Sequence, residues 1–201
     1  MAAVATGLVE LDLDQPFWER FFTVAPLVVI GTREESGADD LAPKHMVSPM
    51  GWRNYFGFVC TPRHHTYGNA LREGAFTVSF PTPEGLLGTT LSASPRDLQG
   101  DKPVTMALAT FPAERVAGAL LTDAYLYLEC RLERTVDGLG ENSLVIGRIE
   151  LARVRQNYLC QSELDPQQQL LENPLLAYVH PGRFAVVEKT YAFPFPSGFE
   201  R

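Results

Sequence analysis

The sequence predicts a mainly β protein, an antiparallel barrel with a few short helices. Two observations carry this. Six or more apolar or alternating runs of strand length are separated by regular turn signals, joined by hairpins more often than by crossovers. The clearest run, residues 124–135, alternates Ala124, Leu126, Leu128, Cys130 and Leu132 with Tyr125, Tyr127, Glu129, Arg131 and Glu133, the pattern of a strand with one face in the core.

Taken in order, residues 14–22 (DQPFWERFF) read as a short helix. Asp14 stands at its cap and Pro16 in its first turn, and Phe17, Trp18 and Phe21 form its apolar face. Residues 27–32 form a strand, and Ser36-Gly37 turns the hairpin of 33–40. Pro43 and Pro49 keep 41–50 extended. Residues 55–60 are a strand that Thr61-Pro62 stops, because proline cannot donate to a ladder and restrains the residue before it. A polar cluster, 63–66, opens a short helix that Gly74 closes, and a strand follows over 76–80. Residues 83–94 are helical for part of their length, 95–111 hold a loop around Gly100–Pro103, and 112–122 hold a helical turn. After the strand over 124–135, 136–142 is a turn and 143–154 the returning strand, with Gly147 a bulge or a close approach. A helix over 166–177 and a short strand over 184–187 precede a proline-rich tail.

At 201 residues the chain is expected to form one domain. A net charge of -7 argues against a nucleic-acid surface, which needs a basic footprint. One basic turn in an acidic chain suits a small anion better. No apolar run approaches the roughly eighteen residues of a membrane span, and MAAVATGLVELDLDQP has no cationic start, so neither membrane nor secretion is expected. Cys60, Cys130 and Cys160 lack paired spacing and read as reduced thiols of a cytoplasmic protein. Adjacent His64 and His65 point apart in extended chain and have no carboxylate or cysteine at ligand spacing, so no metal is expected. No GxGxxG occurs, which leaves a Rossmann nucleotide site unsupported.

The chain is organised around residues 54–80, NYFGFVCTPRHHTYGNALREGAFTVSF. Strand, cationic turn, helix N-terminus, strand is an arrangement that can hold a phosphate. Free N–H groups and the positive dipole end face the anion, Arg63 adds a fork of charged donors, and Thr66 and Asn69 add neutral ones. The same residues also make an ordinary capped surface turn. Upstream, the proline-held segment 42–48 leaves backbone N–H groups free, with Lys44 a charged and His45 a switchable donor; a solvated hairpin edge is the alternative there.

This central stretch resembles the FMN-binding turn of the flavin reductase-like family, which includes the flavoredoxins. The matching residues are Thr61, Arg63, Thr66, Tyr67, Asn69 and Gly74, preceded by VVIGT, REESGADD and LAPKHMVSPMG and followed by LYLECRLERT and SLVIGRIELARV. The resemblance implies an FMN-binding split β-barrel, Greek-key-like, that is a homodimer with the flavin near the subunit interface. It also implies FMN (with FAD the alternative) as cofactor and NAD(P)H as co-substrate, the flavin taking a hydride from nicotinamide. The cofactor-binding residues it implies are Pro43, Lys44, His45, Met46, Val47, Cys60, Thr61, Arg63, His65, Thr66, Asn69 and Ser79. His45 stands where relatives often carry Ser or Thr, and Ser79 where many carry Asn. No catalytic side chain is implied. The second functional reading is a flavoredoxin-type electron carrier without NAD(P)H turnover of its own, reduced by a partner protein.

Overall fold

The computed structural model describes residues 7–160 and 163–198. Residues 1–6 and 199–201, to which the readings of the N-terminus and tail extend, lie outside the described residues. In chain order the strands are β1 (Thr23–Pro26), β2 (Val28–Arg33), β3 (Asp39–Lys44), β4 (Val47–Pro49), β5 (Tyr55–Cys60) and β6 (Ala75–Pro81). They continue with β7 (Thr110–Pro112), β8 (Ala119–Leu121), β9 (Ala124–Leu139), β10 (Asn142–Val154), β11 (Leu175–His180) and β12 (Arg183–Val187). The helices are α1 (His65–Glu73), α2 (Leu86–Leu91) and α3 (Pro166–Glu172). The fold is mainly β, as expected.

Seven strands form one antiparallel sheet in the order β3-β2-β6-β9-β10-β5-β4. Its two edge strands, β3 and β4, are consecutive in the chain and joined only by His45 and Met46. A sheet whose opposite edges are linked by two residues must curl until they meet, and this makes the half-barrel. The concave side holds the core: Val28, Ile30, Phe56, Phe58, Phe76, Val78, Cys130 and Val145 are buried together. Phe58 and Phe76 meet edge to face at 5.0 Å, the geometry aromatic quadrupoles prefer. Gly147 pairs with Phe56 on β5 and sits beside a register shift against β9. A Cβ there would lie 2.6 Å from the Phe76 ring, so the position needs glycine for close approach, as its place in the strand suggested.

Several elements differ from the sequence reading, each for a physical reason. The helix over 14–22 is a single 3-10 turn, Trp18–Arg20. Its aromatics stack on one another (Phe17 to Trp18, 5.0 Å) rather than on a core, and the chain leaves at once to pair β1 with β11. The helix over 166–177 stops at Glu172, because Pro174 forbids helical geometry at Asn173, and the apolar run that follows becomes β11. The segment 112–122 holds no helix but the hairpin of β7 and β8. That hairpin covers the convex face of the large sheet. Thr77 donates to the Ala119 carbonyl at 2.6 Å, and Glu129, assigned by alternation to a polar face, is buried and accepts from the Glu114 and Arg115 N–H groups at 2.9 and 2.5 Å. Finally, β9 runs through the turn expected at 136–142 as far as Leu139.

Candidate functional site

β5 ends at Cys60, and α1 begins where Thr61-Pro62 has broken the ladder. His64 occupies the N-cap position with extended backbone (φ -85°, ψ 142°), and its side chain makes no capping hydrogen bond. No acidic residue stands in the first turn. The positive end of α1 is therefore left unanswered by its own side chains. At the other end Gly74 takes the left-handed conformation (φ 62°) that closes the helix.

In front of this N-terminus lies an open pocket of about 480 Å³ between the end of β3, the start of α1 and the segment 92–102. Its wall carries four cations, Lys44, Arg63, Arg96 and Lys102, together with His64, His65, Thr66 and the acid Asp40. The charges divide into two sets. Arg96 donates to Glu34 at 2.5 Å, to Asp40 at 2.9 Å and to the Gly100 carbonyl at 2.9 Å. Lys102 donates to the Leu41 and Ser92 carbonyls at 2.6 and 2.5 Å and lies 3.6 Å from Asp40. These two cations are tied to two carboxylates and strap 92–102 across the pocket. Burial pushes Glu34 upward, but hydrogen bonds from His65, Arg96 and Asn69 and the Arg96 charge prevail and hold it below its usual value. Burial lowers Lys102, with Asp40 pulling the other way. The second set, Lys44 and Arg63, stands nearer the α1 N-terminus. Arg63 is mostly exposed and reaches Glu141 at 2.6 Å.

A smaller pocket of about 180 Å³ shares Pro43, Lys44 and His64 with the first and is otherwise lined by His45, Met46, Val59, Cys60, Thr61 and Asn142. It follows the link between β3 and β4. The buried Thr61 hydroxyl and His45 Nε2 have no hydrogen-bond partner among the described residues, and a buried polar atom left this way is costly unless something else meets it. The His45 ring stacks on Tyr178 at 4.3 Å and lies 5.3 Å from His180. Burial holds its imidazole below its usual value, reinforced by the charges of His180 and Lys44. Burial raises the Cys60 thiol, although the Lys44 ammonium pulls it down.

The structure thus brings together Pro43, Lys44, His45, Met46, Cys60, Thr61, Arg63, His65 and Thr66 around two adjoining pockets. It does not bring Asn69, Ser79 or Val47 to their walls. Asn69 is buried and donates to Thr32 Oγ1 at 3.3 Å, Ser79 accepts from the Leu121 N–H at 3.0 Å, and Val47 packs against the core. Thr66 and His65 are both engaged by acids: buried Thr66 donates to Asp40 at 3.2 Å, and exposed His65 lies 3.3 Å from Glu34. Arg96 and Lys102 were missed. They sit in a loop whose only local signals are turn residues, so nothing in the sequence placed them against β3.

The chain matches the family described as flavin reductase like domain over residues 21–178. It belongs to the flavin reductase-like family. Solved structures similar to it include the flavoredoxin from Methanosarcina acetivorans (TM-score 0.75, 18% identity, covering 95% of this chain and 97% of that one). The flavoredoxin of Desulfovibrio vulgaris is also similar (TM-score 0.73, 16% identity, 95% and 100% covered). Nitrilotriacetate monooxygenase component B from Bacillus cereus has a TM-score of 0.78 at 14% identity, with 94% and 100% covered. These confirm the split-barrel fold. No curated protein matches the chain by sequence.

The residues present suit a flavin. The uncapped α1 N-terminus with Lys44 and Arg63 matches a phosphate, and the partnerless Thr61 hydroxyl and His45 Nε2 border a second pocket able to take polar edges of a ring.

Proposed function

We propose that this flavin reductase-like protein is an FMN-binding oxidoreductase that passes a hydride from NAD(P)H to the flavin. The observation that carries the reading is the cationic pocket at the α1 N-terminus, in a chain whose net charge is -7. FMN is favoured over FAD because the cavity next to the strap sets four acids, Glu34, Asp39, Asp97 and Asp101, against two cations, Arg96 and Lys102, that are already engaged by Glu34 and Asp40. This excess of negative charge disfavours a second phosphate. A bound flavin would supply the two-electron acceptor. The chain's own residues bind and orient it: Lys44, Arg63 and the α1 N–H groups hold the phosphate, and Thr61 and the segment 43–46 meet the ring. The protein is proposed to act in the cytoplasm as a homodimer.

A flavoredoxin-type carrier, reduced by a protein partner, is the second reading. It is favoured by the two flavoredoxins among the solved structures similar to the chain. Titrating FMN into the purified protein while following visible absorbance and flavin fluorescence tests binding. No spectral change at micromolar FMN overturns the proposal. Steady-state oxidation of NADH or NADPH with excess FMN then separates the readings: turnover identifies the reductase, and tight binding without turnover the carrier.

A further inference from the structure

On its β9 side the β9–β10 hairpin outruns its neighbour strand: β6 pairs β9 only from Ala124 to Arg131, whereas β5 follows β10 from Arg148 up to Ser143 beside the tip. The distal part of β9 therefore projects beyond its neighbour strand, and its end reaches the start of α1. Two contacts hold it there: Tyr67 Oη donates to Asp137 Oδ1 at 2.8 Å, and Arg63 Nη2 meets Glu141 Oε2 at 2.6 Å. Gly138 and Gly140 both have positive φ (81° and 64°) and let the chain turn tightly enough to present Glu141. The tip thus brings two further acids, Asp137 and Glu141, next to Tyr67 and Arg63, the latter a lining residue of the pocket whose wall carries four cations and Asp40.

We propose that Glu141 is a built-in rival for the anion that Arg63 receives, and so sets how strongly the site prefers a phosphorylated flavin over an unphosphorylated one. This rests on the phosphate reading given above. Arg63 lines the pocket, and the nitrogen it would offer a phosphate already carries a carboxylate oxygen. A dianion arriving there must share the guanidinium or displace Glu141, and it meets a like charge while doing so. Both side chains of the pair are largely exposed, 73% and 78%, so the rival leaves easily and its effect is moderate and weakened by salt. A ligand with the same ring but no phosphate does not compete with Glu141.

The test titrates FMN and riboflavin into the wild type, Glu141→Gln, Arg63→Ala and the double variant at low and high salt. Glu141→Gln should tighten FMN by about two- to fivefold, the range of an exposed ion pair, and leave riboflavin unchanged. The gain should shrink at high salt and in the Arg63→Ala background. Equal changes for both flavins, or none, overturn the proposal. Inorganic phosphate, followed by the ¹⁵N signal of the Arg63 guanidinium, gives a readout independent of flavin. Tighter phosphate binding in Glu141→Gln supports the rivalry even if no flavin binds, in which case the functional reading fails alone. No difference in phosphate binding between the two proteins overturns it.

Discussion

Arg63, an exposed guanidinium paired with Glu141 at 2.6 Å, is the side chain proposed to meet the phosphate. Its place after a strand-stopping Thr-Pro and before a helix is legible, because proline and helix start are local chemistry. Its partner Glu141 is not, since that contact depends on how far a hairpin 78 residues along the chain projects. The same limit hid Arg96 and Lys102, whose carboxylate partners lie on the distant β3 and the hairpin before it. For Arg63→Ala we expect FMN affinity to fall about tenfold. This corresponds to the lower end, ~1.5 kcal/mol, of a charge-assisted hydrogen bond, because the guanidinium is solvent-exposed. Riboflavin affinity should scarcely change, and parallel titrations check the contrast; matched losses for both flavins would remove Arg63 from the phosphate.

At the scale of elements, strands with strong local signals came out well. β5 spans the expected residues 55–60, and α1 ends at the expected glycine. Errors arose where an apolar run fits two periods. Residues 175–177 were drawn into a helix, although Pro174 separates them from it. Gly147 carries the element-scale prediction. Its hydrogen atom faces the buried Phe76 ring and Cys130 Cβ, which an added Cβ would meet at 2.6 and 2.9 Å. Phe76 is fully buried between packed strands and cannot swing aside. Gly147→Ala should therefore destabilise the protein by roughly 1–3 kcal/mol, the usual range for overpacking, as read from urea unfolding. An unchanged midpoint would show that the sheet yields there.

For the whole molecule, the three-stranded sheet of β1, β11 and β12 is held beside the barrel partly by the stack of His45 on Tyr178, with His180 close by. Burial, then the charges of His180 and Lys44, lower the His45 pKa in the fold. The sign follows directly. The unfolded chain takes up a proton near the ordinary value of 6.5 while the folded one resists, so stability declines as pH falls from about that value toward the folded pKa. Between pH 7.5 and 5.5 the thermal midpoint of the wild type should drop, and His45→Phe, which keeps a stacking ring without the titration, should drop less. Equal slopes would assign the acid sensitivity to other groups, among them His64, whose pKa burial also lowers.

The link between β3 and β4 has one more implication. None of the six strand pairings in the large sheet joins β3 to β4, the two edges that His45-Met46 connects. Closure of the barrel is thus a property of chain connectivity and of whatever bridges the gap, not of the ladder. A protease nick at that peptide would leave every ladder in register and still turn the barrel into a loose curl. The proposed ligand lies against this same segment, where it would act as a clasp across the one place that hydrogen bonding between strands leaves open.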